Sequence, residues 1–482
     1  MTTKKKKKVL KINIFGLILS LMLIAISISL IVFSQMFDII PNNYYNLFLA
    51  FIIISNILLF ILLVLKFKNK FLKVLKILAY IITIILIIIY SVGIVYLNKT
   101  RHLFENISII KEEVTNYYIV VLDTSNYQEP SDLYEKSLAY YETTSKEVLD
   151  SIKLSLTYVP ISDVTKLKDK LYNKEVDAIL ISDIIKNKFE DEDEDFTSNT
   201  RILKTIEITK QIEDITKRVS IKNTPFNVLI SGIDTYGDIS QTSRNDVNIV
   251  ATVNPNTNEI LLTSIPRDYY VKLHGTEGYN DKLTHASYYG INMAVTTIED
   301  ILDIDINYYV KVNFTTVVDL VNERGGVDVY ADQAINKWKD CPIKEGYNHV
   351  NGNCALKFSR ERHSYIDGDR HRGRNQQEVI KAIFTKLTSG STILTEYTNI
   401  INVLDGKFAT NIDMNEVTDF IKYELNDLKD YTIINTQLDG YGSMGPTYSY
   451  PYQDLWIMIP YEDTITNAKN LINKMLNNES IK

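Results

Sequence analysis

The stretch SRERHSYIDGDRHRGRNQQ, residues 359–377, places five arginines (Arg360, Arg362, Arg370, Arg372, Arg374) and two histidines among three acids. Guanidinium groups donate paired hydrogen bonds from a rigid plane and match phosphate and carboxylate oxygens. A nucleic acid, a phosphorylated small molecule or a solvated charged loop would each account for such a segment. Further charged residues sit at the ends of apolar runs upstream. PFNVLISGID (225–234) delivers Asp234, SRNDVNIVATVN (243–254) begins with Arg244 and Asp246, and EILLTSIPRDYYVKL (259–273) carries Arg267 and Asp268. Each run reads as a buried strand, and ligand sites in open α/β sheets gather at strand ends. Carboxylates among several arginines suit a bound pyrophosphate with a divalent cation: oxygen ligands hold Mg²⁺ and guanidiniums hold the remaining charge. A structural ion-pair network is the competing reading.

The elements around these residues narrow the choice. A chain of 482 residues is too long for one ordinary core and implies two or more folded units. Its net charge of −7 is unevenly spread: Met1–Lys76 holds eleven Lys and one acid, Asp38, a net of +10, so the remainder carries −17. Residues 12–37, 46–65 and 77–97 are three uncharged runs, each long enough to cross roughly 30 Å of hydrocarbon at about 1.5 Å per residue. A cleaved signal peptide fits the first run poorly, because it lacks a small-residue cleavage site and two more spans follow. KKKKK (4–8) precedes the first span and KFKNKFLKVLK (66–76) joins the second to the third, while FDIIPNNYYN (37–46) has neither Lys nor Arg. Positive loops stay cytoplasmic. The expected arrangement is therefore a cytoplasmic basic tail (1–11), three transmembrane helices (12–97) in the cell membrane, and everything beyond about residue 98 outside. That places the arginines away from any chromosome, and no nucleic-acid partner is expected.

The outer region reads as two parts. Residues 98–220 contain no Gly and alternate YYIVVLD (117–123), a helical spacing over 131–153, LSLTYVP (154–160), a capped helix over 162–175 and VDAILIS (176–182), a β-α-β-α-β rhythm that predicts a small accessory α/β domain. FEDEDEDF (189–196) reads as an exposed acidic turn, with a cation site as the lesser alternative. The arginine-rich part is assigned to 221–390, with 391–482 as its C-terminal extension.

From Asn227 to about Leu387 the motifs LISGID, SRNDVNIV, TSIPRDYYV, DKLTHASYYG, VNERGGVDV, ALKFSRERH and GDRHRGRNQQ resemble, in order, the LytR-CpsA-Psr domain of Gram-positive envelope proteins. The three-span anchor with an intervening outer domain is similar to the capsule-linked CpsA-type branch. The resemblance implies an α/β sandwich with a central sheet and a long apolar pocket. It also implies a phosphotransferase that moves an anionic glycopolymer, of capsular or teichoic-acid type, from a polyprenyl-pyrophosphate carrier to peptidoglycan through a phosphodiester. Carried over by position, Asp234 and Asp246 are the carboxylates near Mg²⁺ (or Mn²⁺). Arg244, Arg267, Arg360, Arg362 and Arg372, with Asp369 and Gln376, bind the pyrophosphate. Asn375 departs from the Arg that many members have, and Arg370 and Arg374 match no fixed position and read as solvated.

Phosphoryl transfer asks the protein mainly for positioning and charge stabilisation. Asp246 or Asp268 is the candidate base for the attacking hydroxyl, with Arg244, Arg267, Arg362 and Arg372 stabilising charge. Apolar stripes at Phe314, Val317, Val318 and Val321, and at Val379, Ile380, Ile383, Phe384 and Leu387, read first as core and second as a lining for the lipid tail. Two other classes compete: a transcriptional-attenuator type of regulator, and a non-catalytic glycopolymer-binding module in which some of the 32 tyrosines stack on sugars. Finally, Cys341 and Cys354, the two cysteines of the chain, enclose CPIKEGYNHVNGNC in the outer region. An even count in an oxidising compartment and a hairpin-like loop predict a disulfide, against free thiols or a metal pair with His349 and His363.

Overall fold

The structure is a computed structural model that describes residues 13–37, 42–106, 111–323, 325–388, 407–413, 416, 423 and 431–482. The expected basic tail (1–11) and much of 391–430 lie outside the described residues. By contact the chain falls into two compact units, Met1–Asn106 with Asp413–Lys429, and Ile107–Ile412 with Asp430–Lys482.

The first unit contains helices α1 (Ile14–Phe37), α2 (Asn42–Val64) and α3 (Lys70–Asn106). Within them Ile14–Met36, Tyr44–Val64 and Lys70–Asn98 are long and apolar enough to cross a membrane. Ser20, Ser27 and Ser34 recur every seven residues on the buried seam of α1, and each donates its hydroxyl to a carbonyl one turn back. Small residues on a seam let apolar helices approach closely. Gly16 serves the same end, since a Cβ there would lie 2.1 Å from the Leu63 carbonyl oxygen.

The second unit holds two sheets. The first contains β1 (Glu112–Leu122), β2 (Ser137–Tyr141), β3 (Thr157–Ile161), β4 (Ala178–Ser182) and β5 (Thr200–Gln211) in the order β3-β2-β4-β1-β5, with helices α4 (Lys146–Ser151), α5 (Thr165–Tyr172), α6 (Asp183–Glu192) and α7 (Phe196–Asn199). The helix expected over 131–153 forms only near its end, as α4 (Lys146–Ser151). Its middle is β2, parallel to both β3 and β4. Leu138 and Ala139 are fully buried in separate core clusters, so tertiary burial on two faces overrides the helical spacing. Asp177 fixes the strand's start by accepting hydrogen bonds from the Ser137 amide (2.9 Å) and hydroxyl (2.7 Å). The acidic run 189–196 is anchored at both ends rather than being a free turn: Phe189 and Phe196 are buried, with ring centroids 5.4 Å apart.

The second sheet is built from β6 (Phe226–Ile233), β7 (Asn245–Asn254), β8 (Glu259–Ser264), β11 (Tyr308–Val312), β14 (Phe408–Thr410) and β15 (Thr432–Gln437), ordered β14-β11-β6-β7-β8-β15. The centre β6-β7-β8 is an antiparallel meander, β11 lies parallel to β6, and β15 lies parallel to β8. Leu229, Val250 and Leu261 pack one face of it against α8 (Ile291–Leu302) and α12 (Glu462–Leu476). The opposite face carries α9 (Phe314–Glu323) and α11 (Asp369–Thr388), and α10 (Gly352–Arg360) packs against both of these helices. The result is the α/β sandwich expected from the motifs. Three ribbons complete it: β9 (Tyr270–Val271) with β10 (Asp281–Lys282), β12 (Val327–Ala331) with β13 (Gly346–Val350), and β16 (Gly440–Gly445) with β17 (Leu455–Pro460). The two sheets meet at Glu113 of β1, which accepts from the α8 amide of Ile291 at 3.0 Å and lies 3.6 Å from the buried Lys311 of β11.

Candidate active site

The site starts from an irregularity in the central meander. Gly232 pairs with Val247 but the next residue, Ile233, pairs with Asn245, so Asp246 is the extra residue of a β-bulge. A bulge re-aims a side chain and ends regular pairing. Gly232 permits the close approach, since a Cβ there would stand 2.7 Å from that of Val247. Just beyond, the Asp234 amide donates to the Arg244 carbonyl (3.0 Å), which sets the two side chains together, and Arg244 Nη2 donates to Asp234 Oδ2 at 3.1 Å.

Arg267 follows β8 and Pro266. Its Nη1 donates to Asp246 Oδ1 at 2.5 Å and its Nε lies 3.5 Å from Asp268. Asp268 is buried, and Lys282 Nζ of β10 donates to it at 2.9 Å. Arg360 ends α10, where its guanidinium lies 4.3 Å over the Phe314 ring and 3.5 Å from Asp234 Oδ1. Arg362 is exposed, with Nε 3.3 Å from His363 Nε2. On α11, buried Arg372 and Gln376 stand one turn apart, and Gln376 Nε2 donates to the Asp246 carbonyl at 3.5 Å.

Asp234, Arg244, Asp246, Arg267, Arg360, Arg362, Arg372 and Gln376 all line one cleft of ≈960 Å³. Asp268 is not among the residues that line the cleft; it is buried beside Arg267 and Lys282. The Asp369 side chain lies outside the described residues. The cleft wall also contains Lys337, Trp338 and Lys357, which no motif singled out. A Trp-Lys pair in a loop carries no spacing signal of its own. Burial, then the neighbouring charge of Asp246, raises the Asp234 pKa against the opposing pull of Arg244, Arg360 and Arg267. Burial would also raise Asp268, but Arg267, Lys282 and Arg372 outweigh it and hold that carboxyl below its usual range.

An apolar cavity of ≈430 Å³ adjoins the polar cleft, between the sheet and α9 and α11. Val247, Val312, Val317, Ser359 and Gln376 belong to both walls. Of the two apolar stripes, Val317, Val379, Ile380, Ile383 and Phe384 line this cavity, Phe314 lines the cleft, and Val321 is core; the Leu387 side chain lies outside the described residues. Arg370 and Arg374 are partly exposed, as expected, but each is also ion-paired. Arg370 Nε pairs with Asp439 at 2.5 Å and Arg374 pairs with Asp367. Asn375 is buried, donating to the Phe358 carbonyl at 3.1 Å, so its role at this position is to tie α11 to α10. Cys341 and Cys354 are joined with Cα atoms 5.6 Å apart, and Cys354 lies in the first turn of the helix that ends in Arg360.

Residues 196–456 match the LytR_cpsA_psr family. Over 237 residues the chain is 33% identical to the polyisoprenyl-teichoic acid–peptidoglycan teichoic acid transferase TagU of Bacillus cereus, covering 49% of this chain and 76% of that protein. Over 220 residues it is 34% identical to the biofilm regulatory protein A of Streptococcus mutans, covering 42% of this chain and 53% of that one. The crystal structure of B. subtilis TagV superposes with a TM-score of 0.45 at 28% identity, over 53% of this chain and 99% of that one. On the extent of the family match and the coverage of TagU, the chain belongs to the LytR_cpsA_psr family.

Proposed function

We propose that the protein is a phosphotransferase that moves an anionic glycopolymer from a polyprenyl-pyrophosphate carrier to a peptidoglycan hydroxyl, leaving a phosphodiester. The observation that carries this reading is the shared wall of the two cavities. A cleft with five arginines suits a diphosphate, and it shares five wall residues with an adjoining apolar cavity suited to an isoprenoid tail. The teichoic-acid transferase name of the Bacillus relative supports the donor and acceptor classes.

In this reaction the acceptor oxygen attacks the phosphorus that bears the glycan, and the bond from that phosphorus to polyprenyl phosphate breaks. Arg244, Arg267, Arg360, Arg362 and Arg372 hold the diphosphate oxygens, and Gln376 supports Asp246 through its backbone. The acceptor proton goes to a carboxylate, Asp246 or the adjacent Asp268; a carboxylate that holds a cation is the poorer base. Asp234 and Asp246 also fit a divalent cation: they are hard oxygen donors, and burial together with mutual repulsion disfavours the charged form of Asp234. Two carboxylates leave the remaining positions to phosphate and water, the pattern Mg²⁺ prefers. Bound there, Mg²⁺ or Mn²⁺ supplies neutralisation of phosphate charge. Asp234→Asn is expected to raise the metal concentration needed for half-maximal transfer about tenfold or more; full activity after exhaustive chelation removes the metal from the mechanism.

The membrane arrangement belongs to the same reading. The three apolar helices anchor the chain, with the basic loops inside and the cleft outside. A reporter fused after Lys99 should be active outside and one fused after Lys68 inside; protection of residues 221–482 from protease in right-side-out vesicles contradicts this. The central test is mass spectrometry of lipid extracted from the purified protein. Polyprenyl phosphate or pyrophosphate is the expected finding, and a cavity that carries only bulk phospholipid speaks against the proposal. The alternative, a non-catalytic glycopolymer-binding or regulatory protein, is favoured by the printed name of the Streptococcus relative. It predicts that Asp246→Ala leaves the protein's role intact.

A further inference from the structure

A second, smaller hollow lies on the other side of α11. Its volume is ≈240 Å³, and its wall includes Tyr330 and Asp332 at the end of β12, Arg374, Gln377 and Glu378 of α11, and Asn435 of β15. Positions 374, 377 and 378 are turned about 180° around the helix from Arg372 and Gln376, which face the cleft, at roughly 100° per residue. One helix therefore forms a wall of both cavities.

The chemistry of the hollow excludes most ligand classes. Arg374 is engaged by Asp367. The three charged wall residues, Asp332, Glu378 and Arg374, sum to −1, so a phosphate or carboxylate is repelled. The two wall carboxylates are already near basic partners, Asp332 at 3.5 Å from His371 and Glu378 at 3.4 Å from Lys381, which disfavours a cation. Asn375, Gln377 and Gln437 already donate their amide N–H groups to backbone carbonyls, so a ligand meets chiefly amide oxygens, the Asn435 amide and the two carboxylates, which an apolar molecule would not match. What remains is an uncharged, hydroxyl-rich molecule: amides and carboxylates can donate to and accept from hydroxyls, and one aromatic ring offers a face for C–H groups. The ring is not isolated. Tyr330 pairs across the ribbon with Tyr347, the two are 43% and 79% exposed, and their centroids stand 5.3 Å apart edge to face. The pair helps hold the ribbon together, and its exposed faces remain open to a ligand.

We propose that this hollow is a saccharide subsite, holding one uncharged sugar of a glycan chain while Tyr347 carries the next. The identity of that glycan as a substrate of the cleft rests on the function proposed above. A helix is roughly 10–12 Å across, so a chain gripped here passes within a few sugars of the phosphates. The subsite would thus fix which stretch of polymer is presented for reaction, and it supplies a use for exposed tyrosines that the cleft leaves unexplained.

The test uses the full chain in detergent, titrated calorimetrically with the tetramer of N-acetylglucosamine, whose backbone is of acceptor type, and with a neutral hexose tetramer. Saturable binding is expected, weakened about tenfold or more in both Tyr330→Ala and Asn435→Ala by loss of a ring face or a hydrogen-bonding amide. Melting temperature and co-purified lipid should match wild type in these variants, because neither residue lines the cleft or its apolar cavity. Preference for the N-acetylglucosamine tetramer assigns the subsite to the acceptor, and preference for the hexose tetramer assigns it to the donor polymer. Failure of both sugars to bind, or wild-type binding by both variants, overturns the proposal. Absence of polyprenyl lipid from the wild type counts against the cleft reading alone, and the titration still decides the hollow.

Discussion

Replacing Arg267 with Ala is expected to lower transfer by about 10²–10³-fold, the usual loss when one preorganised charge-stabilising donor is removed, with little change in stability. Arg267 joins the two halves of the site: it donates to Asp246 in the bulge while its Nε faces buried Asp268. Stability should persist because Asp268 keeps Lys282 at 2.9 Å. Arg267→Lys separates charge from shape. A lysine retains the positive charge but cannot span both carboxylates with one rigid plane, so its activity should fall between the two. Arg362→Ala should show a comparable loss with no effect on folding, since that side chain is exposed. Steady-state transfer assays with thermal melts read all three variants. Wild-type rates in both alanine variants would dissociate the cleft from the chemistry.

How much of this was legible in sequence depended on whether the signal was local. Asp234, Arg244, Asp246 and Arg267 were found because each sits at the end of an apolar run, and the fold places the ends of neighbouring strands side by side. The surroundings of Asp268 were not legible in the same way. Adjacent residues after a strand point in different directions, and burial beside Lys282 is a tertiary fact that no motif states. The ion pairs of Arg370 and Arg374 were not legible because their partners are set by the fold: Asp439 is distant in the chain, and Asp367 reaches Arg374 only across the turn that leads into α11. The accessory sheet was half legible. Its apolar strands were read, but β2 carries helix-like spacing and becomes a strand only because β3 and β4 flank it. Strand β5 was missed outright, as TRILKTIEITKQ is largely polar and pairs with β1 along its length. The apolar stripes were ambiguous for a physical reason: a residue facing a cavity and one facing a packed core have the same period.

Ala251 offers a way to separate cavity from core. It lies in β7, directly opposite Val228 on one neighbouring strand and Leu262 on the other, and all three line the apolar cavity. Phe at this position adds apolar volume to a space that exceeds it, in a strand environment that favours aromatic side chains. In an empty, permanently structural void this substitution stabilises, at about 0.8 kcal/mol for each methylene-equivalent newly buried, and ~1 kcal/mol raises the melting temperature of a domain of this size by about 2–4 °C. In a cavity that holds an isoprenoid tail the same ring competes with the ligand. Ala251→Phe is therefore expected to melt higher in lipid-free form while carrying at least about tenfold less co-purified polyprenyl lipid, with transfer reduced in proportion. The opposite signs are the point of the experiment, because a simply misfolded variant loses stability and lipid together. A drop in melting temperature, corresponding to the roughly 1–3 kcal/mol cost of overpacking, would show that the void closes in solution. A variant that melts higher and still carries the wild-type load of lipid would place the tail elsewhere.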